Sequence, residues 1–330
     1  MKIFRKIFLA LVALPCLTPS DSTPQDDDTK KAQTALITTE SEQASQYTEM
    51  LFVCIRERVN QLEPHRRDAI LPKLNSSVKT YREGFEKTCE FIRRYEFTAY
   101  HPESLEDNEC SYSQKNEPAI QYYAKLLTGR SKNEKWSRRV IEKTPIRIAE
   151  IGSGLGLSAL SLVAHAVNVF EQENWTLEHP IELVLYDNNV KLNKPLEGIK
   201  QLVNRAFCQY FKINNCFIDI TKSTMLKEQN YYNAVLCFNV INNLNPLNYV
   251  DTMKNIHRMM HKNALMFIVV PWGLKLHDKE HWFKVLMDQP AQKALFKRLK
   301  SKYWEQEIAE KSHQNEQQNK QIVGFTYIKI

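Results

Sequence analysis

The sequence predicts an α/β fold, a doubly wound and mainly parallel sheet over residues 145–330 with a helical region ahead of it. Three observations predict it. From Thr144-Pro145 onward, short apolar runs alternate with helical stretches, the pattern of strands joined by crossover helices. The first of these runs ends in a glycine-rich turn, Gly152-Ser153-Gly154-Leu155-Gly156, that leads straight into a helix. Ahead of residue 145, apolar residues instead recur at three- and four-residue steps, the period of an amphipathic helix.

Residues 1–20 form a signal-like segment. Lys2, Arg5 and Lys6 precede the apolar run Ile7–Leu14, followed by Pro15, Cys16 and polar residues. A charged start and a short apolar centre are features of a signal peptide. The run is too short to span a bilayer, which takes about 20 apolar residues. Cleavage is expected near Ser20; Pro15 disfavours a lipid anchor at Cys16; the competing reading is a short buried or amphipathic helix. Residues 21–34 are polar, with a proline and an acidic triplet, and read as a disordered linker.

Residues 35–144 read as a helical lid or acceptor region. Within it, Val78, Tyr81, Phe85, Cys89, Ile92 and Tyr95 make one stripe over Ser76–Phe97, with Ser76 or Ser77 as cap. Residues 98–116 read as a loop, and Glu117–Leu127 as a further helix stopped by Gly129.

Strands are expected at Ile146–Ile151, Ile181–Tyr186, Ile213–Ile218, Tyr232–Phe238, Ala264–Val270 and Ile322–Ile330. Between them, Leu155–Phe170 is apolar nearly all round and reads as a buried helix. Val190–Tyr210 and Pro246–His261 read as helices, the second with Leu247, Val250, Met253, Ile256 and Met260 on one face. His281–Ile308 is expected to be mostly helical.

The glycine turn carries the chemistry. Ligands of open α/β sheets lie beyond the carboxyl ends of the strands. Glycines let the backbone turn sharply and let a ligand approach without a Cβ in the way. A dinucleotide fingerprint needs glycines at places one, three and six, but the sixth place from Gly152 is Leu157. That spacing disfavours a nucleotide-dependent oxidoreductase. A purely structural strand-to-helix turn is the plain alternative.

Glycines at places one, three and five, preceded by Glu150, resemble motif I of the class I S-adenosylmethionine-dependent methyltransferases. The resemblance covers about residues 145–273. It implies a doubly wound, seven-stranded Rossmann-like sheet with an N-terminal helical region, and S-adenosylmethionine as cofactor. It assigns Glu150, Gly152, Ser153, Gly154 and Gly156 to the cofactor turn. Asp187, at the tip of the second strand, matches the ribose-binding acid, with a helix N-cap as its alternative. Asp219, after the third strand, matches the acid that recognises adenine, again with a cap as alternative. Phe238 and Asn239, at the end of the fourth strand, complete the cofactor set.

Several departures separate this chain from close subfamilies. Asn242 and Asn243 stand where a common small-molecule form has two histidines. Lys262-Asn263 replaces the usual glycine pair before strand five, and Asn233 stands at the start of strand four where many members have Asp. Residues 171–180 read as an insertion. No (D/N)PP(Y/F) tetrad is present, which counts against amino-methylation of adenine or cytosine in the usual style. No cysteine has a clear nucleophile context.

Composition narrows the classes further. A chain of 330 residues with 43% hydrophobic and 25% charged residues is ordinary for a globular protein, and 8 glycines with 13 prolines exclude fibrous classes. The net charge of +7 favours anionic partners in general. Arg56, Arg58, Arg66 and Arg67 are interspersed with Glu57 and Glu63, so no clear basic patch supports a nucleic-acid partner. The 7 cysteines make no CxxC or zinc-finger spacing, so no metal site is expected, and disulfides would require export. The localisation signals conflict: the N-terminus suggests export or membrane tethering, whereas S-adenosylmethionine is a cytoplasmic cofactor. The methyl acceptor and any catalytic base are not specified by the sequence. His257 and His261 read as helix-surface or capping residues, and His277 and His281 as better placed; Trp272 reads as an acceptor-pocket residue or, equally, as core. A non-catalytic binding or scaffold protein that retains the fold is the alternative class.

Overall fold

The computed structural model describes residues 27–94, 120–128 save 122 and 126, 138–222, 229–238, 240, 244, 246–272, 287–298 and 321–330. The signal-like segment, the loop at 98–116, Gly129, Asn239, Asn242, Asn243, His277 and His281 lie outside the described residues. The chain divides into two units, residues 1–39 and 40–330. In the first, residues 27–39 are helical. No helix among the described residues is long and apolar enough to cross a membrane.

Helix α1 runs from Asp27 to Val59. The linker expected over residues 21–34 therefore does not hold from Asp27 onward. No glycine or proline interrupts the residues from Asp27 onward. Helix α2 spans Pro64–Ile70 and α3 spans Tyr81–Arg94. The start of α3 falls at Tyr81 rather than at Ser76, and its cap is Thr80. The Thr80 hydroxyl accepts the Glu83 N–H at 3.1 Å, and the Glu83 carboxylate accepts the Lys79 N–H at 2.7 Å, a reciprocal cap. The Val78 carbonyl is meanwhile held by the Ser41 and Ser45 hydroxyls at 2.9 and 3.1 Å, which keeps this stretch out of the helix.

Residues 120, 121, 123–125 and 127 are helical, and α4 spans Arg138–Lys143. The α/β part then runs β1 (Arg147–Ile151), α5 (Leu157–Gln172), β2 (Ile181–Asp187), α6 (Asn193–Ala206), β3 (Phe211–Phe217) and β4 (Tyr232–Phe238). It continues with α7 (Tyr249–Met259), β5 (Met260–Trp272), the short α8 (Pro290–Lys293), β6 (Phe296–Arg298) and β7 (Gln321–Lys329). The strands lie in the order β3-β2-β1-β4-β5-β7-β6. The first five are parallel neighbours, and β7 runs antiparallel to both β5 and β6.

Both faces of the sheet are covered, as alternation along each strand requires. Ile148, Leu183, Leu185 and Leu236 point into one core, together with α5 and α6. Ala149, Ile151, Val235 and Cys237 point into the other, against Tyr249, Met253 and Ile256 of α7. Leu51, Phe52 and Ile55 of α1 and Phe85 of α3 belong to the first core. The described helices of residues 40–144 thus share their interior with the sheet. Two glycines permit this close packing. A Cβ on Gly198 of α6 would lie 2.5 Å from the Tyr47 carbonyl oxygen, and one on Gly84 of α3 would lie 2.7 Å from Thr48 Oγ1.

The largest differences from the sequence expectation fall at the α6–β3 junction, at the start of β5 and at β6. Helix α6 stops at Ala206 and β3 begins at Phe211, because the Asn204 side chain holds the Ile213 backbone through two hydrogen bonds of 2.9 and 2.6 Å. Strand β5 begins at Met260, where the expected helix would still be running. Met260 pairs with Tyr232, and the register shifts before Ala234 pairs with Leu265. Asn263, at φ 64°, makes the turn within that irregularity; asparagine tolerates left-handed backbone better than other side chains. Within 281–308, expected to be mostly helical, β6 is extended. Phe296 pairs with Lys329 and is buried against the His257 ring at 5.3 Å, so tertiary pairing overrides local preference.

Candidate cofactor site

Strand β1 ends at Ile151, and the next five residues form the turn. Gly152, Gly154 and Gly156 all take positive φ, at 64°, 55° and 72°, a region costly for side chains. Each glycine meets different surroundings. A Cβ on Gly152 would stand 2.5 Å from Val240 Cγ2, so β4's continuation closes directly over it. A Cβ on Gly156 would press on Leu196 and Ile199 at 3.3 and 3.5 Å, so this glycine brings α6 against the turn. A Cβ on Gly154 would meet nothing within 4 Å. That stretch of backbone is bare and open.

The tip of β2 stands beside it. The Gly154 N–H donates to Asp187 Oδ2 at 2.8 Å, and the Asn189 N–H donates to Oδ1 at 2.9 Å. The Ser153 N–H donates to the Tyr186 carbonyl at 3.0 Å, so the turn and the strand tip are tied twice. A carboxylate has about four acceptor positions. With two in use, Asp187 retains acceptor capacity for hydroxyls. Asp187 is not a helix N-cap; Asn189 caps the 3₁₀ turn Val190–Leu192, accepting the Lys191 N–H at 3.1 Å.

A cavity of about 360 Å³ opens over these groups. Gly152, Gly154, Asp187 and Asn189 form one side; Leu192, Ile218, Asp219 and Ile220 form another; Val240 and Leu244 approach from beyond β4. Its size is in the range of ligand pockets, roughly 300–1,000 Å³. It mixes apolar walls with two carboxylates, and it sits at the carboxyl ends of the parallel strands.

Asp219 combines a place at the cavity with a local turn at Thr221. It lines the cavity, and its Oδ1 accepts the Thr221 hydroxyl at 2.6 Å and the Thr221 N–H at 3.0 Å. The Thr221 hydroxyl is the main reason its carboxyl lies below the ordinary range, with Lys222 adding to it at 3.6 Å.

Glu150 has a different place. It is buried under the turn, and burial pushes its carboxyl up to about 8. The neighbouring Asp187 charge adds to the rise, while Ser158 and the Ala159 backbone oppose it. Its Oε2 and the buried Ser153 Oγ have no hydrogen-bond partner. Glu150 and Ser153 therefore support the turn from below and do not line the cavity. Phe238 is also outside the lining, with its ring edge-on to Tyr123 at 5.5 Å.

His257 packs on Phe296 near the opposite, amino-terminal edge of β5. Burial, with help from Lys329, lowers its pKa. Asn233 donates no charge but satisfies the start of β1, accepting the Arg147 N–H at 2.8 Å. In the insertion at 171–180, Trp175 is buried against Phe170 at 5.0 Å. Cys208 and Cys237 carry free thiols. Among the described residues no cluster of three His, Cys, Asp or Glu is arranged to hold a metal.

Sequence reasoning missed the apolar walls. Val240 and Leu244 lie on a connection without periodicity, and Leu192 lies in the stretch read as the start of a helix. Ile218 and Ile220 flank Asp219 at alternate positions, which was the one available signal.

No family model matches the chain, and no curated protein matches it. Among solved structures, it is similar to the N-methyltransferase NodS from Bradyrhizobium japonicum WM9 in complex with S-adenosyl-L-homocysteine. That similarity has 10% identity and a TM-score of 0.40, over 76% of this chain and 98% of that one. It is similar to the Burkholderia thailandensis 1,6-didemethyltoxoflavin-N1-methyltransferase at 12% identity and a TM-score of 0.41, over 81% and 91% of the two chains. It is also similar to the [4+2]-cyclase SpnF at 10% identity and a TM-score of 0.39, over 67% and 84%.

Proposed function

We propose that the cavity binds S-adenosylmethionine and that the protein transfers its methyl group to an acceptor, in the manner of the class I methyltransferases. One observation carries the reading: Asp187 stands at the cavity wall, hydrogen-bonded to the bare backbone of Gly154. A carboxylate with free acceptor positions next to uncovered backbone suits a nucleoside with two vicinal hydroxyls and a zwitterionic tail.

The residues present fit that group. Asp187 would hold the sugar, Gly152 and Gly154 would face the amino-acid tail, and Leu192, Ile218 and Ile220 would flank the base beside Asp219. The cofactor supplies a methyl group on a sulfonium, to whose carbon the acceptor's lone pair bonds while the carbon–sulfur pair stays on sulfur and any acceptor proton passes to water. The chain's own work is then placement and exclusion of water, which can supply much of the rate. The seven-stranded order, with its one antiparallel strand, suits the same reading.

The test is calorimetry with S-adenosylmethionine on the full chain and on Asp187→Ala. Native protein should bind, and the variant should bind at least about tenfold more weakly, the worth of hydrogen bonds to a charged acceptor. Binding must be followed by release of S-adenosylhomocysteine when acceptors are offered. Absence of binding by the native chain would overturn the proposal.

A further inference from the structure

A second cavity, of about 440 Å³, lies between α1 and the connection from β2 to α6. It shares two wall residues, Asn189 and Leu192, with the cavity over the glycine turn. Met50, Val53 and Cys54 of α1 and Leu192 and Pro195 supply the apolar part of its walls, and Glu57, Gln61 and Asn189 add polar groups to it. Lys191 and Lys194 stand at its rim with exposed side chains. Neither ammonium pairs with a carboxylate among the described residues. Glu57, from the α1 wall, lies more than salt-bridge distance from both, so the lining keeps one net positive charge.

A trough of mixed lining, with an apolar strip and two ammonium groups at its rim, selects its ligand by chemistry. Apolar surface gains from burial at roughly 25 cal/mol per Å². A lysine ammonium offers three donors and a compact charge to an anionic head. We infer that this cavity binds a small amphipathic anion, an apolar chain ending in a carboxylate or phosphate. Such a ligand places its chain against Val53 and Leu192 and its head between Lys191 and Lys194. Because Leu192 and Asn189 are common to both cavities, the ligand lies beside the nucleoside. Its service as methyl acceptor rests on the methyl-transfer reading; its binding does not.

Fluorescence or calorimetric titration of the full chain with decyl phosphate, decanoate and decanol tests this. Both anions, or one of them, should bind, and decanol should bind at least about tenfold more weakly; which anion binds tighter identifies the head group. The double variant Lys191→Gln/Lys194→Gln should lose at least about tenfold in affinity for that anion. Val53→Trp, which fills the trough from the other wall, should lose binding as well. Both variants should keep the native unfolding midpoint. S-adenosylmethionine is titrated in parallel. If it fails to bind while the anion binds, the methyl-transfer reading falls and this site stands. If neither anion binds the native chain, or the lysine variant binds as well as native, the inference is overturned.

Discussion

Asp187 Oδ2 accepts the Gly154 N–H at 2.8 Å, and this bond joins the tip of β2 to the turn that follows β1. The same carboxylate accepts the Asn189 N–H. One side chain thus fixes two connections and still faces the cavity. Asp187→Ala should therefore lower stability by about 1–2 kcal/mol even without ligand, since two backbone donors lose their acceptor. Urea unfolding of the ligand-free variant measures this; an unchanged midpoint would show that water replaces the carboxylate.

Gly152 and Gly154 should respond differently to alanine. At Gly152 the new methyl meets Val240, and left-handed strain adds to overpacking, for about 2–4 kcal/mol of destabilisation. Val240→Ala in the same chain should recover part of it, which a double-mutant cycle reads directly. At Gly154 the methyl enters open space. The fold should lose only about 1–2 kcal/mol from the backbone, while S-adenosylmethionine affinity should fall at least about tenfold.

Glu150 gives the fold a pH dependence. Its carboxyl is raised from an ordinary 4.5 to about 8, first by burial. Between those values the folded chain holds a proton that the unfolded chain has released. Stability should therefore fall as pH rises from about 4.5 to about 8, and level off above that. Glu150→Gln, neutral at every pH, should flatten this slope and be more stable than native at pH 9 by a few kcal/mol. Thermal unfolding of both proteins across that range decides it; parallel curves would mean that Glu150 is charged in the fold.

Gly198 packs α6 against the Tyr47 carbonyl. Backbone cannot swing aside as a side chain can. Gly198→Ala should cost about 2–3 kcal/mol, visible as a lower denaturant midpoint. A tolerated alanine would mean that α1 packs less closely on α6.

Much of the sheet was legible because strand and helix periods differ. Tyr232–Phe238 was bounded correctly by its apolar run. The three glycines and Asp187 were legible as a turn and a strand tip, because left-handed backbone favours glycine and a carboxylate can accept the turn's N–H. The rest was set by distant partners. Met260 is extended because Tyr232 is beside it, and Phe296 because Lys329 is. The pattern of polar residues at 21–34 spoke for disorder, yet the chain is helical from Asp27. Glu150 was read as a cofactor ligand from its place before the turn; only its burial reveals a supporting role. The wall at Val240 comes from an irregular connection, where sequence carries no period to read; Leu192 sits in a 3₁₀ turn that its helical spacing did not separate from α6.

Strand β7 is inserted between β5 and β6 although it follows both in the chain. During translation β5 is therefore complete while its outer edge has no neighbour. The 57 residues from Trp272 to Lys329 (329 minus 272) take roughly 3–11 seconds to synthesise at about 5–20 residues per second. For that interval the nascent chain displays a long apolar strand, Ala264–Val270 at its centre, with unpaired backbone groups. An open edge of this kind is a template for pairing with another chain, so β5 is exposed to aggregation until β7 is in place.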